Sequence, residues 1–483
     1  MNTEILLRKD VPAFDDEADI IVVGFGIAGA CAALEARQLG GDVLVVERAS
    51  AGGGASALSS GLFYLGGGTA VQEACGYADS ADDMYRFMIA SMGTENAAMA
   101  RRYCDDNVAH FNWLESQGVP FERTAFKGKA VFLLSTEGLM STGNEKVWPY
   151  RDIARPAPRG HQAAGEGDSP GSVAMAALLS RCDEAGVRAS YDSQATGLIV
   201  DDGGRICGVR IRQAGQTFHY ASKRGVVIAT GSFSMNSDMI SEHVANLSAT
   251  SEPLGTPHSD GSGIRLGMSV GAATDGMEGI IATASIYPPG QLIKGIVVNL
   301  HGQRFVAEDS YHGRTAAFIM EQPQQRAFLI VDAEIFAYPE ITTAGHRLID
   351  GYESVEEMEA GLAMPPGSLT RTLAEYNDHA RSGNDPVFHK SEEWLKPLDS
   401  GPWAAFDISF NQSSYLFMTL GGLKINERAE VVDTSGIPLP GLYAAGACTA
   451  HIPRSGKSYA SGMSLGPGSY FGRVAGRVAM AAE

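Results

Sequence analysis

The sequence lacks any closely spaced pair of cysteines. Its six cysteines lie far apart, at positions 31, 75, 104, 182, 207 and 448, and none forms a C-x-x-C pair. Zinc sites, iron–sulfur clusters and disulfide frameworks depend on clustered cysteines, so we expect none of the three and no metal. A reducing compartment is the default for such a chain.

Long apolar runs and positive charge are also scarce. No run of about 18 apolar residues occurs, and the N-terminal stretch lacks the apolar core of a secretory signal, so we expect no transmembrane segment and a cytoplasmic location. Lysine and arginine number 37 against 56 acidic residues, a net charge of −19. This charge repels phosphate backbones, so we expect a small-molecule substrate and no nucleic-acid partner.

Glycine, by contrast, recurs at the ends of apolar runs. An apolar run at 20–23, a glycine turn, a small-residue helix and a second apolar run at 43–46 predict a βαβ unit. The stretches 224–233 and 440–448 are buried-type strands that also end in glycine. Directly before the first of these stretches, residues 196–223 alternate apolar and polar side chains around turn dipeptides and predict a small antiparallel meander.

The turn of the βαβ unit carries a dinucleotide fingerprint. Gly24, Gly26 and Gly29 have G-x-G-x-x-G spacing, which allows a tight turn, close approach of a pyrophosphate and close packing of helix on strand. Glu47 ends the second strand, where a carboxylate accepts hydrogen bonds from a ribose and repels a 2′-phosphate. The pattern predicts an adenine dinucleotide other than NADP.

The residues after Glu47 favour FAD over NAD. The stretch 47–68 is rich in Gly, Ala and Ser, and two further glycine-ended strands supply the contacts that an extended cofactor needs. Asp260 precedes a predicted helix, where it fits either a cofactor contact or a plain N-cap. The first histidine is His110, beyond this segment, so we expect non-covalent FAD. The predicted FAD-binding residues are Gly24, Gly26, Ala28, Gly29, Glu47, Arg48, Ala55, Ser56, Ser60, Gly61, Ala195, Thr230, Gly231, Asp260, Gly446, Ser464 and Leu465.

The C-terminal helix is predicted to begin near Ser464 and Leu465, just before Pro467, which suits a first helical turn. Its N–H groups and positive dipole end would stabilise negative charge on a reduced flavin. An ordinary capped helix is the alternative interpretation.

Between about residues 275 and 400 the pattern changes to proline pairs and a polar, helix-like stretch. We interpret 276–400 as an inserted substrate-capping domain of α+β type. It interrupts a Rossmann-like α/β FAD-binding domain, with a parallel sheet and a small antiparallel meander, that comprises 14–275 and 401–483.

Several motifs resemble one flavoprotein superfamily over nearly the whole chain. GFGIAG, GGAS at 53–56, ATGSF at 229–233, MTLGGL at 418–423 and IPLPGLYAAGACT at 437–449 are similar to fumarate reductase and succinate dehydrogenase flavoproteins. SSGLFYLGGGT at 59–69, APRGH at 157–161, RFVAEDSYHGR at 304–314 and SYASGMSLGPGSYFGR at 458–473 look most like FAD-dependent 3-ketosteroid dehydrogenases of the Δ4-(5α) branch.

That resemblance implies a catalytic set of two tyrosines and a serine, here Tyr311, Tyr459 and Ser461. Desaturation at C4–C5 removes a proton beside the ketone and a hydride from C5, which goes to flavin N5. We expect Tyr311 to polarise the ketone, and Tyr459, made more acidic by its neighbours, to take the proton with Ser461 as its relay. An unidentified electron acceptor would reoxidise the flavin.

Four alternatives stay open. A fumarate-reductase-type enzyme needs an arginine proton donor, but Lys294 lies in that region of this sequence. Δ1-dehydrogenases resemble this chain but carry Tyr-Pro-Gly, whereas Tyr459 is followed by Ala460 and Ser461. Reduction of a 4-ene-3-ketone is the reverse reaction, and a flavin-loaded electron-transfer module would have no substrate of its own.

Two further hypotheses concern the pocket. Arg454 and Lys457 would hold an acidic C17 side chain if they reached its far end, although solvated loop cations are the simpler interpretation. The segment 126–150, which contains Trp148, is a candidate lid.

Overall fold

The computed structural model describes residues 5–131, 133–167, 169–283, 290–338 and 347–482. The strands are, in chain order, β1 (Leu6–Leu7), β2 (Asp16–Val23), β3 (Val43–Val46), β4 (Leu62–Tyr64), β5 (Leu139–Met140), β6 (Gly160–Gln162), β7 (Arg188–Ser190), β8 (Ser193–Val200), β9 (Ile206–Gln213), β10 (Gln216–Ile228), β11 (Ser251–Pro253), β12 (Thr274–Asp275), β13 (Ile280–Thr283), β14 (Ile296–Asn299), β15 (Ala327–Asp332), β16 (Arg347–Tyr352), β17 (Trp403–Asp407), β18 (Tyr415–Thr419), β19 (Gly422–Leu423), β20 (Glu430–Val432) and β21 (Pro438–Ala444).

The α-helices, in the same order, are α1 (Ile27–Gln38), α2 (Gly54–Ala57), α3 (Ala70–Ala74), α4 (Ala81–Met92), α5 (Ala97–Asp105), α6 (Asn107–Ser116), α7 (Tyr150–Ile153), α8 (Gly171–Glu184), α9 (Ser237–His243), α10 (Ser262–Ser269), α11 (His312–Met320), α12 (Ala333–Phe336), α13 (Val355–Gly361), α14 (Ser368–Arg381) and α15 (Leu465–Ala481). Among the helices described, none has the length and apolar character needed to cross a bilayer.

The largest sheet confirms the predicted α/β fold class. Its main path runs β1-β8-β9-β10-β2-β3-β7, and β21 pairs with β10 and β20. The βαβ unit is present, with Ile20 opposite Val43 in parallel register, and β10 adds parallel pairs to β2 and β21. β8, β9 and β10 form the antiparallel meander. The carboxyl ends of β2, β10 and β21 therefore lie at one edge, where a ligand binds in such sheets.

Helices α1 and α15 pack closely over this sheet because their facing residues are small. An added Cβ at Gly472 would lie 2.3 Å from the carbonyl oxygen of Ala28, and one at Gly476 would lie 2.3 Å from that of Ala32. Only glycine allows backbones this near. The packing directs the N-termini of both helices towards the same edge of the sheet.

A second apolar core surrounds the sheet β14-β15-β17-β16, with α11, α13 and α14. The division at 276–400 stays a prediction. Strand β17 follows residue 400, yet it pairs with β15 and β16, so this sheet crosses the predicted boundary. Two smaller sheets, β4-β6-β5 and β11-β18-β13, supply strands that reach the cavity described next.

Candidate active site

A cavity of about 700 Å³ lies at the carboxyl ends of β2, β3 and β10 and extends towards the second core. It joins the cofactor fingerprint to the candidate catalytic side chains. The predicted residues that line it are Gly24, Gly26, Ala28, Glu47, Arg48, Ala55, Ser56, Ser60, Ala195, Thr230, Gly231, Tyr311, Gly446, Tyr459, Ser461, Ser464 and Leu465.

Three predicted cofactor residues lie behind the cavity wall. A Cβ on Gly29 would lie 1.9 Å from the carbonyl oxygen of Gly24, so Gly29 serves the close packing of helix on strand. Gly61 has a φ of +67° and also lacks space for a Cβ. Asp260 accepts a hydrogen bond from the backbone N–H of Ser262 at 3.0 Å and pairs with Arg48 at 2.6 Å. Asp260 therefore lies one residue before Gly261, the N-cap of α10, and it also holds Arg48, which lines the cavity.

The backbone around the fingerprint fits a dinucleotide. Gly24 turns with a φ of +102°, and an added Cβ there would lie 2.4 Å from the carbonyl oxygen of Ala229. Gly446 has a φ of +79°, and its Cβ would lie 2.8 Å from that of Ala28. Both positions need glycine, and both leave the start of α1 open to a phosphate.

Glu47 is held by two backbone donors. The N–H groups of Phe25 and Ala49 donate to opposite carboxylate oxygens, each at 2.7 Å. Remaining lone pairs on both oxygens are available to ribose hydroxyls in the cavity. This geometry suits the predicted role of Glu47 in binding the adenosine ribose.

We expect Glu47→Gln to weaken FAD binding about tenfold or more. The amide NH₂ of glutamine would face one of the two N–H donors, and a hydrogen bond to a charged acceptor contributes about 1.5–3 kcal/mol. Titration of the apoprotein with FAD, followed by flavin fluorescence, measures the change. The exposed Glu17→Gln, on the same sheet, is the control, and equal FAD affinity in both variants would contradict the role of Glu47.

The candidate catalytic tyrosines meet at the inner end of the cavity. The rings of Tyr311 and Tyr459 have centroids 6.4 Å apart, and both residues are 4% exposed. The hydroxyls of Tyr311 and Ser461 are 2.9 Å apart, and those of Tyr459 and Ser464 are 3.0 Å apart. The expected Tyr459–Ser461 relay is therefore wrong: Ser461 pairs with Tyr311, because the loop that carries it directs its side chain there.

The expectation of an acidic Tyr459 is also wrong. Burial raises the pKa of the Tyr459 phenol to about 12, although its hydrogen bond with Ser464 lowers the value in part. A phenol with this pKa stays protonated at neutral pH. It is suited to donating a hydrogen bond, and Ser464 places it beside the N-terminus of α15.

Sequence reasoning missed His451, which lines the cavity behind Ser464. Its Nδ1 lies 3.1 Å from the carbonyl oxygen of Leu420, so Nδ1 must carry a proton to make this bond. Its Nε2 carries no proton in this neutral tautomer and lies 3.3 Å from Ser464 Oγ. Burial lowers the pKa of His451 to about 4. No motif spacing pointed to it, because it follows the glycine-ended strand β21 in an irregular loop.

The rest of the inner cavity is mainly apolar. Leu62, Val131, Ile281, Leu416 and Met418 line it. Among the described residues, the only lysine or arginine in the lining is Arg48, which is paired with Asp260. The wall therefore suits a neutral ligand with a large hydrocarbon surface.

Thr419 adds a polar group to this wall. It is buried, and its Oγ1 has no hydrogen-bond partner among the described residues. Burying an unpaired hydroxyl is costly, so a polar group of a cofactor or substrate is its expected partner.

The hypothesis that Arg454 and Lys457 bind an acidic substrate side chain is not supported. Arg454 pairs with Asp275 at 2.6 Å, Lys457 pairs with Glu321 at 2.6 Å, and neither lines the cavity. Of the candidate lid 126–150, Val131 lines the cavity, Trp148 stacks on His389, and Phe132 lies outside the described residues. The lid role stays a prediction.

Buried histidines predict acid sensitivity. Burial lowers the pKa of His161 and His451 to about 4, and burial with the nearby charge of Lys129 lowers that of His312 to about 3. Below pH 6.5 the unfolded chain binds protons that the native protein excludes. We expect the free energy of unfolding to fall between pH 6.5 and about 4, by up to about 1.4 kcal/mol per pH unit for each histidine.

Denaturant titrations across this pH range measure the loss of stability. His312→Asn should reduce the slope, since asparagine does not titrate there. If the free energy of unfolding of His312→Asn falls with pH as steeply as that of the unmodified protein, His312 does not have the lowered pKa given above.

Comparison with known proteins identifies the family of the chain. Residues 19–461 match the model of the FAD binding domain family. The 3-oxo-5-alpha-steroid 4-dehydrogenase of Comamonas testosteroni is 30% identical and aligns with 90% of this chain and 94% of its own. The crystal structure of 3-ketosteroid-Δ4-(5α)-dehydrogenase from Rhodococcus jostii RHA1, in complex with 4-androstene-3,17-dione, is 38% identical with a TM-score of 0.94 and covers 99% of both chains.

A more distant structure shows the same fold. The 3-ketosteroid Δ1-dehydrogenase of Sterolibacterium denitrificans is 21% identical with a TM-score of 0.71, and it covers 96% of this chain and 100% of its own. The family match takes in most of the 483 residues, including every predicted FAD-binding residue before Ser464. The chain therefore belongs to the FAD binding domain family, and it is an oxidoreductase whose cofactor is FAD.

Proposed function

We propose that the protein desaturates a neutral 3-ketosteroid between C4 and C5. The observation that carries the proposal is the meeting of Tyr311 and Tyr459, with ring centroids 6.4 Å apart, in an apolar cavity continuous with the FAD fingerprint. Relatives with 30% and 38% identity are steroid 4-dehydrogenases by name, which supports the same substrate class for this chain.

We assign ketone polarisation to Tyr459. Its phenol stays protonated because burial raises its pKa to about 12, and it lies beside Ser464 at the positive end of α15. Negative charge that develops on the C3 oxygen is stabilised by such a donor in an apolar site. This assignment exchanges the roles that the sequence suggested for the two tyrosines.

We assign proton removal at C4 to Tyr311 with Ser461. Their hydroxyls are 2.9 Å apart, so that, as Tyr311 takes the C4 proton, its own hydroxyl proton can pass to Ser461. Ser461 is only partly buried, and it releases its hydroxyl proton in turn to solvent. When bound, FAD supplies the oxidising step by accepting the hydride from C5. The protein contributes orientation, exclusion of water and the two polar hydroxyl pairs.

The dicarboxylate alternative lacks a recognition group. Two carboxylates need cationic side chains, and among the described residues Arg48 alone of the lysines and arginines lines the cavity, already paired with Asp260. Lys294 lies in the region of the sequence where a fumarate-reductase-type enzyme carries its arginine proton donor, but Lys294 does not line the cavity. For the Δ1 alternative, the absence of Pro after Tyr459 is the sequence feature that favours Δ4.

Anaerobic mixing of the FAD-loaded protein with three compounds tests the proposal. We expect 5α-androstane-3,17-dione to bleach the flavin, and succinate and 4-androstene-3,17-dione to leave it oxidised. Bleaching by succinate would favour the dicarboxylate reaction, and bleaching by 4-androstene-3,17-dione would favour Δ1 desaturation.

We also propose a cytoplasmic location, because the scattered free cysteines suit a reducing compartment.

A further inference from the structure

A buried segment at 142–145 connects the two parts of the chain that carry the Tyr311–Ser461 pair. We call it the bridging segment. The side-chain oxygen Oδ1 of Asn144 accepts a hydrogen bond from the backbone N–H of Tyr311 at 2.9 Å. The carbonyl oxygen of Thr142 accepts one from the backbone N–H of Ser461, also at 2.9 Å. One short segment thus fixes the backbone at both members of the hydroxyl pair.

The bridging segment is itself held from behind. One carboxylate oxygen of Glu145 accepts a hydrogen bond from the backbone N–H of Gly143 at 3.0 Å, and the other accepts one from the hydroxyl of Tyr64 at 2.9 Å. Gly143 packs against the loop of Ser461 so closely that an added Cβ would lie 2.8 Å from the Cβ of Ala460. These contacts leave the segment little freedom to move relative to either tyrosine-bearing element.

Of the two hydrogen bonds from the bridging segment to Tyr311 and Ser461, the one from Asn144 is made by a side chain. Tyr311 is the residue before the first turn of α11, so its N–H lies outside the helical hydrogen-bond ladder and needs another acceptor. Asn144 is 1% exposed and supplies that acceptor. The Thr142 contact, by contrast, is made by the main chain and does not depend on the side chain at that position.

We propose that Asn144 is a positioning residue for proton removal, which sets the distance between the Tyr311 and Ser461 hydroxyls. The proposal rests on the assigned function of the pair. Without the Oδ1 acceptor, the backbone N–H of Tyr311 loses this buried hydrogen bond, and the start of α11 is no longer fixed to the bridging segment. A displacement of about 1 Å at a catalytic group lowers rates by up to about 100-fold.

Three variants of Asn144 separate the effect of its acceptor oxygen from the effect of its side-chain volume. Asn144→Leu keeps a similar volume without an acceptor, Asn144→Ala removes both, and Asn144→Asp keeps the oxygen. Each protein is loaded with FAD and mixed anaerobically with 5α-androstane-3,17-dione, either unlabelled or deuterated at C4. Rapid-mixing absorbance gives the rate of flavin bleaching and its isotope effect. FAD content, thermal midpoint and binding of 4-androstene-3,17-dione are measured in parallel.

We expect the Leu variant, or the Ala variant if Leu does not fold, to bleach about 10- to 100-fold more slowly with a larger C4 isotope effect. FAD content and steroid binding should match the unmodified protein, and the Asp variant should stay within about threefold of its rate. Unchanged rates and isotope effects in the folded Leu or Ala variant would overturn the proposal. Parallel loss of FAD, stability and rate with an unchanged isotope effect would also overturn it, since that is a purely structural effect. If the unmodified protein itself is not bleached, the proposed function fails instead.

Discussion

Replacing Tyr459 with phenylalanine is expected to leave FAD bound and to slow flavin bleaching by about 100-fold or more. The change removes one hydroxyl from a buried ring that lines the cavity, so packing is kept and a single donor is lost. A donor that meets the charge developing on a ketone oxygen contributes about 3–4 kcal/mol to the transition state. Rapid mixing with 5α-androstane-3,17-dione under anaerobic conditions measures the rate.

Tyr415→Phe is the matched control for this variant. Tyr415 is also buried and donates its hydroxyl to a backbone carbonyl oxygen, that of Ile408, but it does not line the cavity. Its loss should lower stability and leave the bleaching rate within a few-fold. If Tyr459→Phe behaves like Tyr415→Phe, Tyr459 has no catalytic role.

Replacing Arg159 with methionine is expected to lower the free energy of unfolding by about 3–5 kcal/mol. Arg159 and Asp79 form an ion pair at 2.7 Å, and both side chains are 0% exposed. Without the guanidinium, the donors that remain to the Asp79 carboxylate among the described residues are the N–H of Gly67 and the amide of Gln72. A buried charge with two neutral partners is poorly compensated.

Denaturant titration of the FAD-loaded variants measures this loss. Arg181→Met is the control, because Arg181 pairs with Glu184 at the surface and such pairs contribute below about 1 kcal/mol. The double variant Arg159→Met with Asp79→Leu should recover part of the stability, since no unpaired charge is then buried. An Arg159→Met effect no larger than that of the control would contradict the burial argument.

The cofactor half of the site could be predicted from the sequence because its geometry is local. Gly24, Gly26 and Gly29 belong to one turn and one helix. Glu47 directly follows β3, which pairs in parallel with β2, the strand before that turn. Backbone freedom at glycine and the parallel βαβ connection are enough to bring these residues together. The two strands that end near Gly231 and Gly446, predicted as buried-type parallel strands, also have their carboxyl ends at this edge of the sheet, because β10 pairs in parallel with β2 and β21.

The hydroxyl pairing could not be predicted in the same way. Tyr459 and Ser461 are two residues apart, which suggested a relay between them. The backbone N–H of Ser461 is instead held by the carbonyl oxygen of Thr142, and its side chain lies against Tyr311, 150 residues away in the sequence. Side-chain direction in an irregular loop depends on such remote contacts, not on spacing.

The sequence by itself determined the fold class and FAD as the cofactor, since short motifs specify backbone turns and residue types. Its resemblance to a known family also pointed to three of the hydroxyl-bearing residues that line the inner cavity, Tyr311, Tyr459 and Ser461. The tertiary structure decided which hydroxyl faces which and raised the pKa of Tyr459 by burial. It also placed Arg454 and Lys457 outside the cavity lining, paired with Asp275 and Glu321. The reason is physical: proton affinity and charge neutralisation depend on burial and on distances between atoms, which only the folded chain defines.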